Sequence, residues 1–218
     1  MLKSCLAAVC AATVVFTAAP AAAQSAPTPA GISVGLVVGA QSVEHAGALA
    51  GLQATVEPTA RIGLFAEGSW LQDVVARRQV ETVEAVAAYL AQTQGRPATG
   101  SLNAPALAIT AGARLFFRKQ SPGLRPYAIL EGGAVRIALQ PALTLAGADV
   151  TDALGPYGVT LGRDLTGETT RPAVGGGVGV ATNRGRVTID LNLRVLSIRT
   201  PDRATNVLRI AVGLERRF

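Results

Sequence analysis

Apolar and polar residues alternate along most of this chain. In RVTIDLNLRV, Val187, Ile189, Leu191, Leu193 and Val195 fall on one parity, and Thr188, Asp190, Asn192 and Arg194 on the other. ALAITAGARLFF sets Leu107, Ile109, Ala111, Ala113, Leu115 and Phe117 against Ala108, Thr110, Gly112, Arg114 and Phe116. RIGLFAEGSW sets Ile62, Leu64, Ala66 and Trp70 against Arg61, Gly63, Glu67 and Ser69. Successive side chains of a strand point to opposite faces, so this period of two predicts strands with one apolar and one polar face. The pattern recurs about eight times, near 31–41, 47–57, 60–71, 105–117, 126–139, 171–182, 186–198 and 205–218. Each segment reaches the roughly 9–11 residues that a tilted strand needs to cross a bilayer.

A soluble antiparallel sheet alternates in the same way. The distinguishing feature is the polar parity, which mixes charges with glycine and alanine. That mixture suits a narrow barrel interior, where small residues leave room for a few long charged ones. The connections alternate as well. EPTA, RKQSPGLR and TNRG, after the second, fourth and sixth strands, are short and rich in turn residues. The links after the third and fifth strands each run to about 30 residues. Short turns at one end and long loops at the other match an outer-membrane barrel, with both termini at the short-turn end. In the first long link, DVVARRQVETVEAVAAYLAQTQG places Val80, Val83, Ala87 and Leu90 on one helical face and Arg78, Glu81 and Glu84 off it. A short amphipathic helix is expected there, either capping the barrel mouth or docking a partner or the membrane surface. The expected fold is all-β: an eight-stranded antiparallel transmembrane β-barrel over residues 31–218, with that helix between strands 3 and 4.

Composition adds the rest. Mean hydropathy is +0.35, yet no stretch beyond the N-terminus holds the 18 or so consecutive apolar residues of a membrane helix. At the N-terminus, Lys3, an apolar run from Leu6 to Thr17 and the small residues Ala21, Ala22 and Ala23 read as a secretory signal peptide, 1–23, followed by a flexible leader, 24–30. Cys5 and Cys10 both fall inside it. Cys10 follows Val9, where lipoprotein acylation requires a small residue. The mature chain is therefore expected to carry neither disulfides nor thiolate metal sites. The net charge of +6 is scattered, which argues against nucleic acid as a partner.

Three stretches, LRPYAILEGGAV, RPAVGGGVGVATNRGRVTIDLNLRVL and the terminal LRIAVGLERRF, resemble the small outer-membrane β-barrel superfamily, the OmpA/OmpX-like barrels. Members pair a tyrosine near the start of one strand with glycine-rich strands and end on an aromatic residue. The resemblance spans about residues 30–218. It implies that Leu208, Ile210, Val212, Leu214 and Phe218 form the signal read by the barrel-assembly machinery. Aromatics are only 4% of the chain, so the interface girdles are thin, with Trp70, Phe117, Tyr127 and Phe218 as the candidates.

The inward parity collects Glu57, Glu67, Arg114, Asp190, Asn192, Arg194, Arg209, Glu215 and Arg217. Charges of both signs on facing walls should pair. The expected result is a salt-bridged plug; a narrow ion path or gate is the sharper alternative. Glu131 and Arg136 have opposite parity, and a bulge near Gly132 and Gly133 is expected to turn both inward. Gly175, Gly177 and Gly179 are read as inward, leaving room for large side chains across the lumen. His45 shares a loop with Ser42 and Glu44, but nothing holds the three in relay, so a solvated loop histidine is expected. Asp149, Asp152 and Asp164 match no calcium-loop spacing. AVGGGVGVATNRG reads as strand, turn, strand and lacks the G-x-G-x-x-G order of a dinucleotide site.

The expectation is thus an integral outer-membrane barrel of a Gram-negative cell, structural or surface-exposed, and not an enzyme. No catalytic, cofactor-binding or metal-binding residue and no cofactor is expected. The expected partners are outer-membrane lipid and the assembly machinery, with the chain monomeric and any extracellular ligand unnamed. A small channel or a lipid-modifying barrel enzyme are the alternatives. Deletion of Phe218 is expected to lower insertion into the membrane, seen as a smaller heat-modifiable folded band in the outer-membrane fraction; unchanged insertion removes Phe218 from that role.

Overall fold

The computed structural model describes residues 31–43, 46–117, 123–162, 164–199 and 204–218. The expected signal peptide and leader, and Glu44 with His45, lie outside them. The strands are β1 (Ile32–Ser42), β2 (Ala46–Val56), β3 (Ile62–Leu71), β4 (Ala98–Asn103), β5 (Ala106–Phe116), β6 (Leu124–Leu145), β7 (Ala148–Asp149), β8 (Gly167–Arg184), β9 (Val187–Arg199) and β10 (Ala204–Arg217). Helix α1 (Arg77–Gln94) and two short 3-10 turns complete the elements. Eight strands close into a ring in the order β1, β2, β3, β5, β6, β8, β9, β10, all antiparallel. The seam is β1 on β10, paired from Ser33 with Arg217 to Ser42 with Leu208. The Phe218 N–H extends it by donating to the Ile32 carbonyl at 2.9 Å.

Alternation decides the two faces, as the strand period requires. In β3 every even residue from Ile62 to Trp70 is exposed and every odd one from Gly63 to Leu71 is buried. Leu36, Val38, Leu191, Ile210, Val212 and Leu214 stand outward on β1, β9 and β10, each about half exposed. The outer wall of these strands is thus aliphatic.

The expected bulge in β6 is absent. The β5–β6 register runs without a slip from Ala106 with Ile137 to Phe116 with Tyr127, and the β6–β8 register from Leu124 with Thr182 to Leu139 with Gly167. Glu131 therefore points inward and is buried, while Arg136 points outward. Arg136 needs no bulge because it ion-pairs with the exposed Glu168 on β8, near the long-loop end. The strand also runs six residues past its expected end. Beyond Leu139 it leaves β8 and pairs with β4, from Asn103 with Gln140 to Ala98 with Leu145. Neither β4 nor the β6–β7 hairpin was expected.

Helix α1 packs on this extension. Val83, Ala87 and Leu90 are buried and Val80 is partly buried, while Arg78, Glu81 and Glu84 are exposed, as the helical spacing predicts. Its C-cap, Gly95, takes the left-handed conformation (φ 62°) that glycine adopts without strain. The Gln79 side chain accepts from the Ala76 N–H at the other end. Gly100 of β4 lets α1 approach, since a Cβ there would press on Val83.

Gly177 faces inward on β8, where a Cβ would strike the Leu193 carbonyl oxygen of β9. Gly177→Val is expected to cost about 1–3 kcal/mol, the usual range for overpacking, and to lower the folded yield on refolding into micelles. A yield equal to that of the parent chain would show that the β8–β9 wall can yield there.

Candidate functional site

The ring interior has two storeys. At the short-turn end it is charged. Arg114, Arg125, Arg194, Arg209 and Arg217 meet Glu57, Glu67, Glu131, Asp190 and Glu215, five cations with five carboxylates among the described residues. Glu67 of β3 holds Arg194 of β9 at 2.8 Å and also pairs with Arg209 of β10. Arg194 reaches Glu131 of β6 at 3.2 Å and the Gln53 side-chain oxygen of β2 at 3.2 Å. Arg114 of β5 bridges Asp190 at 3.0 Å and Glu215 at 3.2 Å. Glu215 also accepts from Ser33 of β1 at 2.6 Å and from Gln53 at 2.7 Å. Each of β1, β2, β3, β5, β6, β9 and β10 thus supplies a group to one network. Below it, Glu57 takes Arg125 and Arg217, both at 3.0 Å.

The aromatics are part of this storey. Phe65, Phe116 and Tyr127 are buried inward. The Arg125 guanidinium lies 3.8 Å from the Phe116 ring centre, and Arg114 and Arg194 lie 5.5 and 5.2 Å from that of Phe65. A cation over a ring face gains from its quadrupole while its edge donates to carboxylates. Tyr127 was expected in the interface girdle and is not there. It sits two residues from Arg125 on the inward parity, donates its hydroxyl to Asp190, and meets Phe116 edge-on at 5.3 Å. Gly179 makes the space, since a Cβ there would run into the Tyr127 ring. Trp70 and Phe117 do point outward, as do Leu208, Ile210, Val212, Leu214 and Phe218. Of the seven residues expected in the lumen charge network, Glu67, Arg114, Asp190, Arg194, Arg209 and Glu215 share the one network, and Glu57 faces the lumen below it with Arg125 and Arg217.

The second storey, at the long-loop end, is apolar, and the sequence reading missed it. Val37, Leu49, Leu71, Val135, Leu196, Ile198 and Val207 fill the interior and continue into Leu90, Leu143, Leu145 and Leu154 of the loops. One core thus runs from the lumen into the cap. The signal was present at the end of β9, where Leu196 and Ile198 make the inward parity apolar. At the β7 turn of the cap, polar groups satisfy one another locally. Thr151 donates its hydroxyl and its N–H to the Asp149 carboxylate, which holds that exposed carboxyl below its ordinary range. Among the described residues no cluster of side chains could hold a metal ion.

No family model matches this sequence, and no curated protein matches it. Solved structures do. Neisserial surface protein A superposes with a TM-score of 0.51 at 14% identity, over 86% of this chain and 96% of that one. A major outer membrane protein of Thermus thermophilus superposes with a TM-score of 0.52 at 9% identity, over 86% of this chain and 99% of that one. The fold is that of the small outer-membrane β-barrels. With that architecture the buried charges acquire a clear energetic sense. Desolvating an ion costs several kcal/mol, and only good pairing offsets it. The network gives each cation at least one carboxylate, and balances the signs.

Glu67→Gln removes the carboxylate shared by Arg194 and Arg209. It is expected to destabilise the barrel by about 3–5 kcal/mol, the usual penalty for leaving a buried charge uncompensated, read as a lower urea midpoint of the micelle-refolded chain. Arg136→Gln breaks only an exposed pair and should cost less than about 1 kcal/mol. Equal midpoints for the two variants would contradict this account of the lumen.

Proposed function

We propose that this chain is an integral outer-membrane barrel whose role is structural or at the cell surface, with a closed lumen and no catalytic activity. The observation that carries the reading is a closed ring with an aliphatic outside and a filled inside. In hydrocarbon every backbone N–H and C=O must be paired within the protein, and a closed ring meets that demand with strands. Inside, the salt-bridged storey and the apolar storey lie in series, so an ion would have to break both. Eight strands leave an interior just wide enough for side chains. The cap of α1, β4 and β7 is then the part presented to the exterior. The outward row Leu208, Ile210, Val212, Leu214 and Phe218 is proposed as the assembly signal of the closing strand.

The test is conductance. The mature chain, refolded and added to planar bilayers, is expected to give no steady unitary current, while a heat-modifiable band shows that it is folded. Steady unitary currents would replace the closed barrel with a channel. Recovery of the chain free in the periplasm, not in the outer-membrane fraction, would overturn the membrane reading itself.

A further inference from the structure

The short-turn end of the barrel carries its charges unequally. The carboxylate side chains nearest its rim among the described residues, Glu57 and Glu215, turn inward, as do the deeper ones, and are held by lumen arginines. Arg61, Arg184, Arg186 and Arg216 are exposed and have no carboxylate side chain as partner among the described residues. Arg61 stands apart in the turn before β3, and the other three gather in one sector. Arg184 pairs with Val187 across β8 and β9, and Arg216 pairs with the same Val187 across β9 and β10. Arg184, Val187 and Arg216 thus form one transverse row of outward residues. The two arginines stand about 10 Å apart, at two strand spacings. Arg186 lies in the turn between β8 and β9, fixed to the next strand by the Arg217 N–H donating to its carbonyl at 2.8 Å. The Arg216 guanidinium lies 5.6 Å from the Phe218 ring centre, which directs it along the rim. On β1, β3 and β5, by contrast, the outward residues at this end are Ile32, Ile62 and Leu115.

The wall beside this row is as important as the row. Proceeding from it along the strands, the outward residues are Ile189, Leu191 and Leu193 on β9 and Leu214, Val212 and Ile210 on β10, all exposed. Cations at the rim and large aliphatics beside them match both ends of an amphiphile. A soluble polyanion would use only the rim. Resting on the membrane reading above, we propose that this sector is a binding site for an anionic phospholipid of the inner leaflet, its phosphate on Arg184, Arg186 and Arg216 and its acyl chains on Ile189, Leu191 and Leu214. A guanidinium can take a phosphate through two N–H groups at once. A cation near an anionic membrane surface contributes a roughly fivefold preference.

A local reporter tests this. The mature chain carrying Trp70→Phe and Ile189→Trp is refolded into phosphatidylcholine vesicles, and tryptophan quenching is read with acyl-brominated phosphatidylglycerol and acyl-brominated phosphatidylcholine. The expected result is a relative binding constant of about fivefold or more for phosphatidylglycerol. It should fall to near one in the Arg184→Gln, Arg186→Gln, Arg216→Gln chain and persist when the same three become lysine. A ratio near one in the reporter chain overturns the site. So does a preference that survives the glutamine substitutions, or one that Arg136→Gln at the opposite rim abolishes equally. No quenching by either lipid would mean that the wall does not face hydrocarbon, which sinks the membrane reading and the site with it.

Discussion

Everything in this molecule depends on closure between β1 and β10. A strand has no internal hydrogen bonds, so a sheet can stand in an apolar medium only if it has no free edge. The two strands farthest apart in the chain must therefore meet in register. Gly35 and Gly39 of β1 serve that meeting, because a Cβ at either would strike the Leu214 or Ile210 carbonyl oxygen of β10. The seam runs from Ser33 to Ser42 without a break. Once it is made, each strand has an outside and an inside, and the alternation of the chain acquires its meaning.

The inside shows how a narrow ring is filled in two ways. Near the short turns, long arginines cross the lumen to carboxylates on other strands. Inward glycines such as Gly179 leave the room that Tyr127 occupies. Near the long loops the same positions are aliphatic, and they join the core beneath α1. The charged storey ties distant strands by directional bonds, and the apolar storey binds the cap by burial. The division also explains why β6 overruns the ring. Its last residues, Leu143 and Leu145, belong to the cap core, and β4 pairs with the stretch that carries them.

The comparisons with solved structures agree on architecture at sequence identities of 9–14%. Such divergence is what this architecture permits. A lipid-facing position asks only for an aliphatic side chain. A lumen position asks for volume and for charge that is balanced across the ring, not for one residue type. The charge pairing seen here satisfies that demand with five arginines and five carboxylates among the described residues.

The sequence by itself determined the eight ring strands, the inward and outward faces of all but part of β6, the helix of the long loop and seven of the charged lumen residues. All of these follow from parity or helical spacing, which are local properties of the chain. It left the pairings open. Parity places Glu67, Arg194 and Arg209 on one side of the wall, but the stagger of the strands around the ring decides that Glu67 meets both arginines. Tyr127 shows the same limit. Its amphipathic ring suits an interface as well as a lumen, and only Asp190 and Gly179, brought opposite by β8 and β9, decide between them. The bulge in β6 failed for a related reason. Arg136 looked misplaced in a strand considered alone, until β8 supplied Glu168 beside it. The two storeys and the extended sheet likewise belong to the tertiary structure, because apolar residues on an inward face reveal nothing of what covers them until the loops have closed over the mouth.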